Sequence, residues 1–383
     1  MLRHRADTIL IPKPTASRSV SGNFTQLMAQ KRKTLPKDFE ELLKKENIQE
    51  LIQVFDKCEI EARGGYSKQT ALAFSECPHE LAKWLIENGA KIEAFDDYKS
   101  TPLIKRSRQY NGNIKSLIEL GADVNYNTGK VTPLHSAAEA HSVENVEILL
   151  AHGAKIDALV SYGYGPSNSE YTPLELTLFS CRNIDIESSV KISKILINAG
   201  AKKTERMKDF VIKIGESFEF HNPNYHDESE EWKNYGLHAL YELFDTEPVA
   251  KRLVHDGKSP IIIKAKTWQK QHDELWKLLV PSNGAAQTMQ GEVVRITGKV
   301  ARELLDNGGV NWDLEYKKMV DSYCKFIQQG NKLSQEEINE LTIIADEVKM
   351  KNSTNIYIIS ELGVKWILNN PIPISLPKVD YSR

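Results

Sequence analysis

Cysteine is scarce in this chain of 383 residues, with four in all, at positions 58, 77, 181 and 324. They form no CxxC pair and no dense framework, so the chain reads as one for a reducing cytosol. Small core fillers are the natural reading of all four. An excess of one charge sign is also missing. Lys+Arg number 50 against 52 Asp+Glu, a formal charge of −2. The chain as a whole therefore offers no electrostatic case for nucleic acid or an anionic membrane. No apolar run reaches the roughly 18 residues that a spanning helix needs. The first 35 residues carry one short apolar patch, Thr8-Ile9-Leu10-Ile11, with no small-residue cleavage pattern behind it. A secretory signal is not expected there, and a cytoplasmic location is. What remains is a globular composition, 40% apolar and 27% charged. At about 150 residues per domain, two or three domains are expected.

Catalytic motifs are equally thin. There is no HExxH. Gly257-Lys258-Ser259 and Gly298-Lys299 resemble ends of phosphate loops, but Arg252 and Val293 stand where the opening glycine is needed. His272-Asp273-Glu274 resembles metal-ligand material, yet neighbours on a helix point apart and no second pair lies one turn on. No catalytic residue, metal ligand or cofactor is assigned.

The informative feature is repetition. Thr-x-Leu falls at Thr70, Thr101, Thr132 and Thr172, with steps of 31, 31 and 40. Gly-Ala falls at Gly89, Gly121, Gly153 and Gly200, with steps of 32, 32 and 47. Two independent markers keeping a common step indicate stacked supersecondary units. In each unit Thr opens a helix, and three of the four have Pro at the first helical position, where the missing N–H costs nothing. An apolar second helix follows and Gly stops it, since Gly takes the left-handed cap without strain. Helices this short need their neighbours to persist, so the array must share one core.

The third unit reads Thr132-Pro133-Leu134-His135-Ser136-Ala137-Ala138 and closes on Leu149-Leu150-Ala151-His152-Gly153-Ala154. The second supplies Gly121-Ala122-Asp123-Val124-Asn125. These residues resemble the ankyrin repeat, over residues 38–203. The resemblance implies an α-solenoid in which Thr132, Pro133, His135 and Gly153 are structural, the His ring tying one unit to the next. It also implies that positions one and four after the His slot face a concave groove. Here those are Phe74 and Cys77, Lys105 and Arg108, Ser136 and Glu139, and Leu176 and Phe179. Hairpin tips add Phe95, Tyr98, Tyr126, Tyr162 and Tyr164, and tyrosine suits binding surfaces. The candidate partner-binding set is Phe74, Tyr98, Lys105, Arg108, Tyr126, Glu139, Tyr162, Tyr164 and Phe179. Phe74 and Phe179 have a rival reading, packing against a terminal unit or the C-terminal domain.

The expected architecture is mostly α, an ankyrin-like solenoid followed by a helical C-terminal domain. Residues 1–35, with seven Lys/Arg and one acid, are expected as a disordered basic arm; a tether to nucleic acid or to an acidic partner, and a mitochondrial transit peptide, are the rivals. Residues 36–204 are expected as about five repeats, the first degenerate. Residues 205–231 are expected as a linker or connecting loop. Residues 232–383 are expected as a helical domain of unrecognised family, with helices near 232–244, 267–279, 288–305, 313–328, 334–348 and 355–368. The expected role is protein–protein interaction without a cofactor or membrane, in the manner of a bacterial adaptor or toxin-immunity protein. The alternative is an enzyme or effector whose C-terminal domain uses Glu292 as base, Arg295 to hold an anion, and Asp313.

Overall fold

The computed structural model describes residues 30–45, 47–162, 169–221, 228–352 and 354–383. The chain opens with β1 (Arg32–Thr34), α1 (Phe39–Lys44), α2 (Ile48–Lys57), β2 (Cys58–Gly64) and β3 (Gln69–Thr70). β1 lies parallel to β2, and β2 antiparallel to β3. The end of the expected basic arm is therefore ordered: Leu35 donates to Arg63 O at 2.9 Å and is buried against Gly64. Its first 29 residues lie outside the described residues.

The stacked units follow. Their helices are α3 (His79–Glu87), α4 (Pro102–Ser107), α5 (Ile114–Glu119), α6 (Pro133–Glu139) and α7 (Val143–Ala151). A hairpin of β4 (Val160–Tyr162) and β5 (Ser169–Tyr171) leads to α8 (Pro173–Phe179) and α9 (Ile186–Asn198). Thr101, Thr132 and Thr172 cap α4, α6 and α8 through their hydroxyls, each with Pro at the helix start. The repeat glycines take φ between 84° and 108°, which a side chain would resist. Side chains also stitch neighbouring units at a constant step. Glu61 accepts from Lys91 N, Glu93 from Asp123 N and Asn125 from Lys155 N, at 2.7 to 2.8 Å.

The array does not stop at residue 204. α10 (Glu205–His221) packs on α8, and α11 (Glu228–Leu243) packs on α9. Met207, Phe210, Val211, Ile214 and Phe218 form one apolar stripe, and with Leu237, Leu240 and Phe244 they join the core of the repeats. The stretch expected as a connection thus contains a capping helix that lacks the Thr-Pro-Leu signal. Residues 222–227 of that stretch lie outside the described residues.

A second core begins at Ile261. It is built from α12 (Trp268–Leu279), α13 (Met289–Ala301, prolonged by a π turn over Arg302–Asp306), α14 (Leu314–Phe326), α15 (Gln335–Lys349) and α16 (Ile356–Asn369). α13 is central, touching α12, α14 and α16. The final segment runs back extended across it, where Gln290 reads the backbone of Asn370, Ile372 and Ile374. The apolar stretch 260–264 is neither strand nor helix, and Ile261 N donates to Pro371 O at 2.7 Å. No helix is long and apolar enough to cross a membrane among the described residues.

Candidate partner-binding groove

The inner helices α4, α6 and α8 present the residues four and seven after each repeat Thr to one side, one helical turn apart. Lys105, Arg108, Ser136, Glu139 and Leu176 meet there with the tip residues Tyr98 and Tyr162. They line a groove of about 820 Å³. Glu139 is its hub. Its Oε1 takes Arg108 Nη2 at 2.6 Å and the Tyr162 hydroxyl at 3.0 Å. Lys105 Nζ lies 3.8 Å from buried Asp96, whose Oδ1 accepts from Tyr98 N and Ser100 N and shapes that tip. Tyr98 is 61% exposed and stacks on Tyr66, centroids 6.2 Å apart.

The other candidates fall elsewhere. Phe74 is a correction: it is buried, edge-on to Phe39 at 5.4 Å. After Thr70 there is no Pro and no full helix, only the 3-10 turn Ala71–Ala73; Phe74 then turns extended and drops its ring onto α1. Phe179 stays half exposed but packs its ring on Tyr162, Tyr171 and Phe210 and is not among the residues that line the groove. Tyr126 packs edge-on to Phe95 and does not line the groove. Tyr164 lies outside the described residues. Lys99 and Lys130 do line the groove although the sequence reading omits them. Their signal was position, each two residues before a repeat Thr.

His135 is fully buried and works inside the array. Its Nδ1 accepts from the Thr132 hydroxyl at 2.8 Å, and its Nε2 donates to Tyr171 O at 3.0 Å, a bond into the next unit. That tautomer follows because a carbonyl only accepts. Burial pushes its pKa down to about 4, the bond to Tyr171 opposing the shift. Pro133 opens α6, and Gly153 ends the following helix at φ 84°.

The C-terminal trio does not form an open site. Glu292 is fully buried and fully engaged. It accepts from Arg295 Nε at 2.8 Å, Arg295 Nη2 at 2.5 Å, Ala286 N at 2.9 Å and the Tyr381 hydroxyl at 2.5 Å. Asp313 instead caps α14 and pairs with Arg383. Arg295 and Asp313 border one cavity of about 590 Å³, with Glu292 behind its wall. Burial raises the thiol pKa of Cys181 to about 12 and of Cys324 to about 11, far from reactive thiolates. Among the described residues no three His, Cys, Asp or Glu side chains converge to hold a metal ion.

No curated protein matches the chain. Residues 69–160 match the family model for ankyrin repeats, in three copies, and this stretch of the chain is an ankyrin repeat array.

Proposed function

We propose that the protein is a binding module whose ankyrin array grips another protein in the groove between α4, α6 and α8 and the hairpin tips. Ankyrin repeats generally mediate protein–protein interaction. The observation that carries the reading is the convergence of Tyr98, Lys105, Arg108, Glu139, Tyr162 and Leu176 on one concavity. It combines aromatic area with charges already held in place, a low-entropy surface for docking. A role as an adaptor or as an immunity protein that masks a toxin suits such a surface, since masking needs shape and no chemistry. A reducing, cytoplasmic setting suits its four free cysteines. The enzyme reading draws less support, because Glu292 has no free lone pair facing the cavity.

The test is affinity capture from the native cell with the wild-type chain and a Tyr98→Ala/Arg108→Ala double variant, circular dichroism confirming the fold. The groove reading expects a specific protein lost in the variant. Retention of every captured protein by the folded variant would refute it.

A further inference from the structure

Three lysines stand at one position of the repeat: Lys68, Lys99 and Lys130, each two residues before Thr70, Thr101 and Thr132, a step of 31. Lys68 and Lys99 hold left-handed backbone, φ 48° and 63°. Glycine takes that conformation freely and a side chain takes it at a cost. At the third tip Gly129 takes it instead, φ 81°, and Lys130 follows. The fold alone would be served better by glycine at 68 and 99. Backbone strain of this kind gathers where side chains bind. All three lysines are exposed, and Lys99 and Lys130 line the groove. The acids there are already matched, Asp97 by Lys68 at 3.1 Å and Glu139 by Arg108 at 2.6 Å. Among the described residues Lys99 and Lys130 have no ion-pair partner.

We infer that the occupant of the groove is an extended protein segment with carboxylates three residues apart, which meet Lys99 and Lys130 while apolar side chains rest on Tyr98, Ile104 and Val131. This rests on the groove reading above. Neighbouring packed helices lie about 8–10 Å apart, so equivalent tips climb at about that step. A polyproline-II segment rises about 3.1 Å per residue with three residues per turn, which sets such acids about 9 Å apart on one face. A nucleic-acid backbone fits less well: charged at every unit, it would run over Asp97 and Glu139.

The test is a printed array of extended peptides with varied apolar residues and Glu, Gln or Lys at every third position, probed with the full chain. Glu peptides should bind best, weaken with added salt, and weaken about tenfold towards a Lys99→Gly/Lys130→Ala variant, a loss typical of two exposed charge contacts. Lys99→Gly alone should melt no lower than wild type while still binding less, which a purely structural lysine would not do. If Gln peptides bind as tightly, or the double variant binds undiminished, the acidic occupant is overturned and the groove stands. If no peptide class binds and Tyr98→Ala/Arg108→Ala also keeps every captured protein, both readings fall.

Discussion

His135 and Arg106 hold the array from inside, and they differ in how they show in the sequence. His135 sits in a motif and is recognisable at once. Arg106 is fully buried and has no carboxylate partner among the described residues, its guanidinium donating to Leu72 O at 2.8 Å, Asn113 O at 3.2 Å and Cys77 O at 3.4 Å. Nothing in a linear reading marks it, because charged residues are rarely buried and its acceptors come from two different units. The histidine gives a pH prediction. Its pKa is about 4 in the folded protein and about 6.5 in the unfolded chain. Between those values only the unfolded chain binds the proton. Stability present above about pH 6.5 is therefore lost as pH falls towards 4, by about 3 kcal/mol from this one group. Urea midpoints at a series of pH values check it, and a midpoint that holds steady across that window contradicts it.

Helices were legible wherever local chemistry punctuates them. The expected C-terminal helices match α11 to α16 within a few residues, because caps such as Ser334 with Glu337 and stops such as Gly308 are encoded locally. α10 was missed for the opposite reason: its apolar stripe is plain, but it lacks the repeat signature and runs into a polar, acidic stretch. Gly298, which resembles the end of a phosphate loop, proves to be a packing residue. A Cβ there would stand 2.3 Å from the Trp276 ring. Gly298→Ala should therefore force α12 and α13 apart and cost about 1–3 kcal/mol. Pairing it with Trp276→Leu should restore part of the loss. Denaturant titration of the two variants decides between them, and a neutral Gly298→Ala would show that the contact is loose.

At the scale of the molecule, one arginine joins the two cores. Arg252 lies in the segment between them. It donates to Lys277 O at 2.7 Å, Phe220 O at 3.0 Å and Val280 O, and it lies 4.1 Å over the Phe220 ring. Lys277–Glu216 at 2.9 Å and the Phe220–Trp276 stack flank it. The array and the helical domain are thus bolted through the C-terminal turn of α10. Arg252→Ala should uncouple them: thermal unfolding should separate into two transitions, and proteolysis between residues 244 and 261 should quicken. An unchanged single transition with unchanged cleavage would place the coupling elsewhere.

The sequence by itself determined the step of the repeats, the ends of most helices and the axis of the groove, because caps, prolines and glycines act within a few residues of where they stand. Only the tertiary structure decided which aromatic rings are free and which are buried. Phe74 and Tyr98 look alike in the chain, yet one is sealed by α1 and the other stands open. That difference depends on residues more than thirty positions away. The same holds for Glu292: its oxygens are taken by Arg295, by Ala286 N and by the hydroxyl of Tyr381, which lies 89 positions further along the chain.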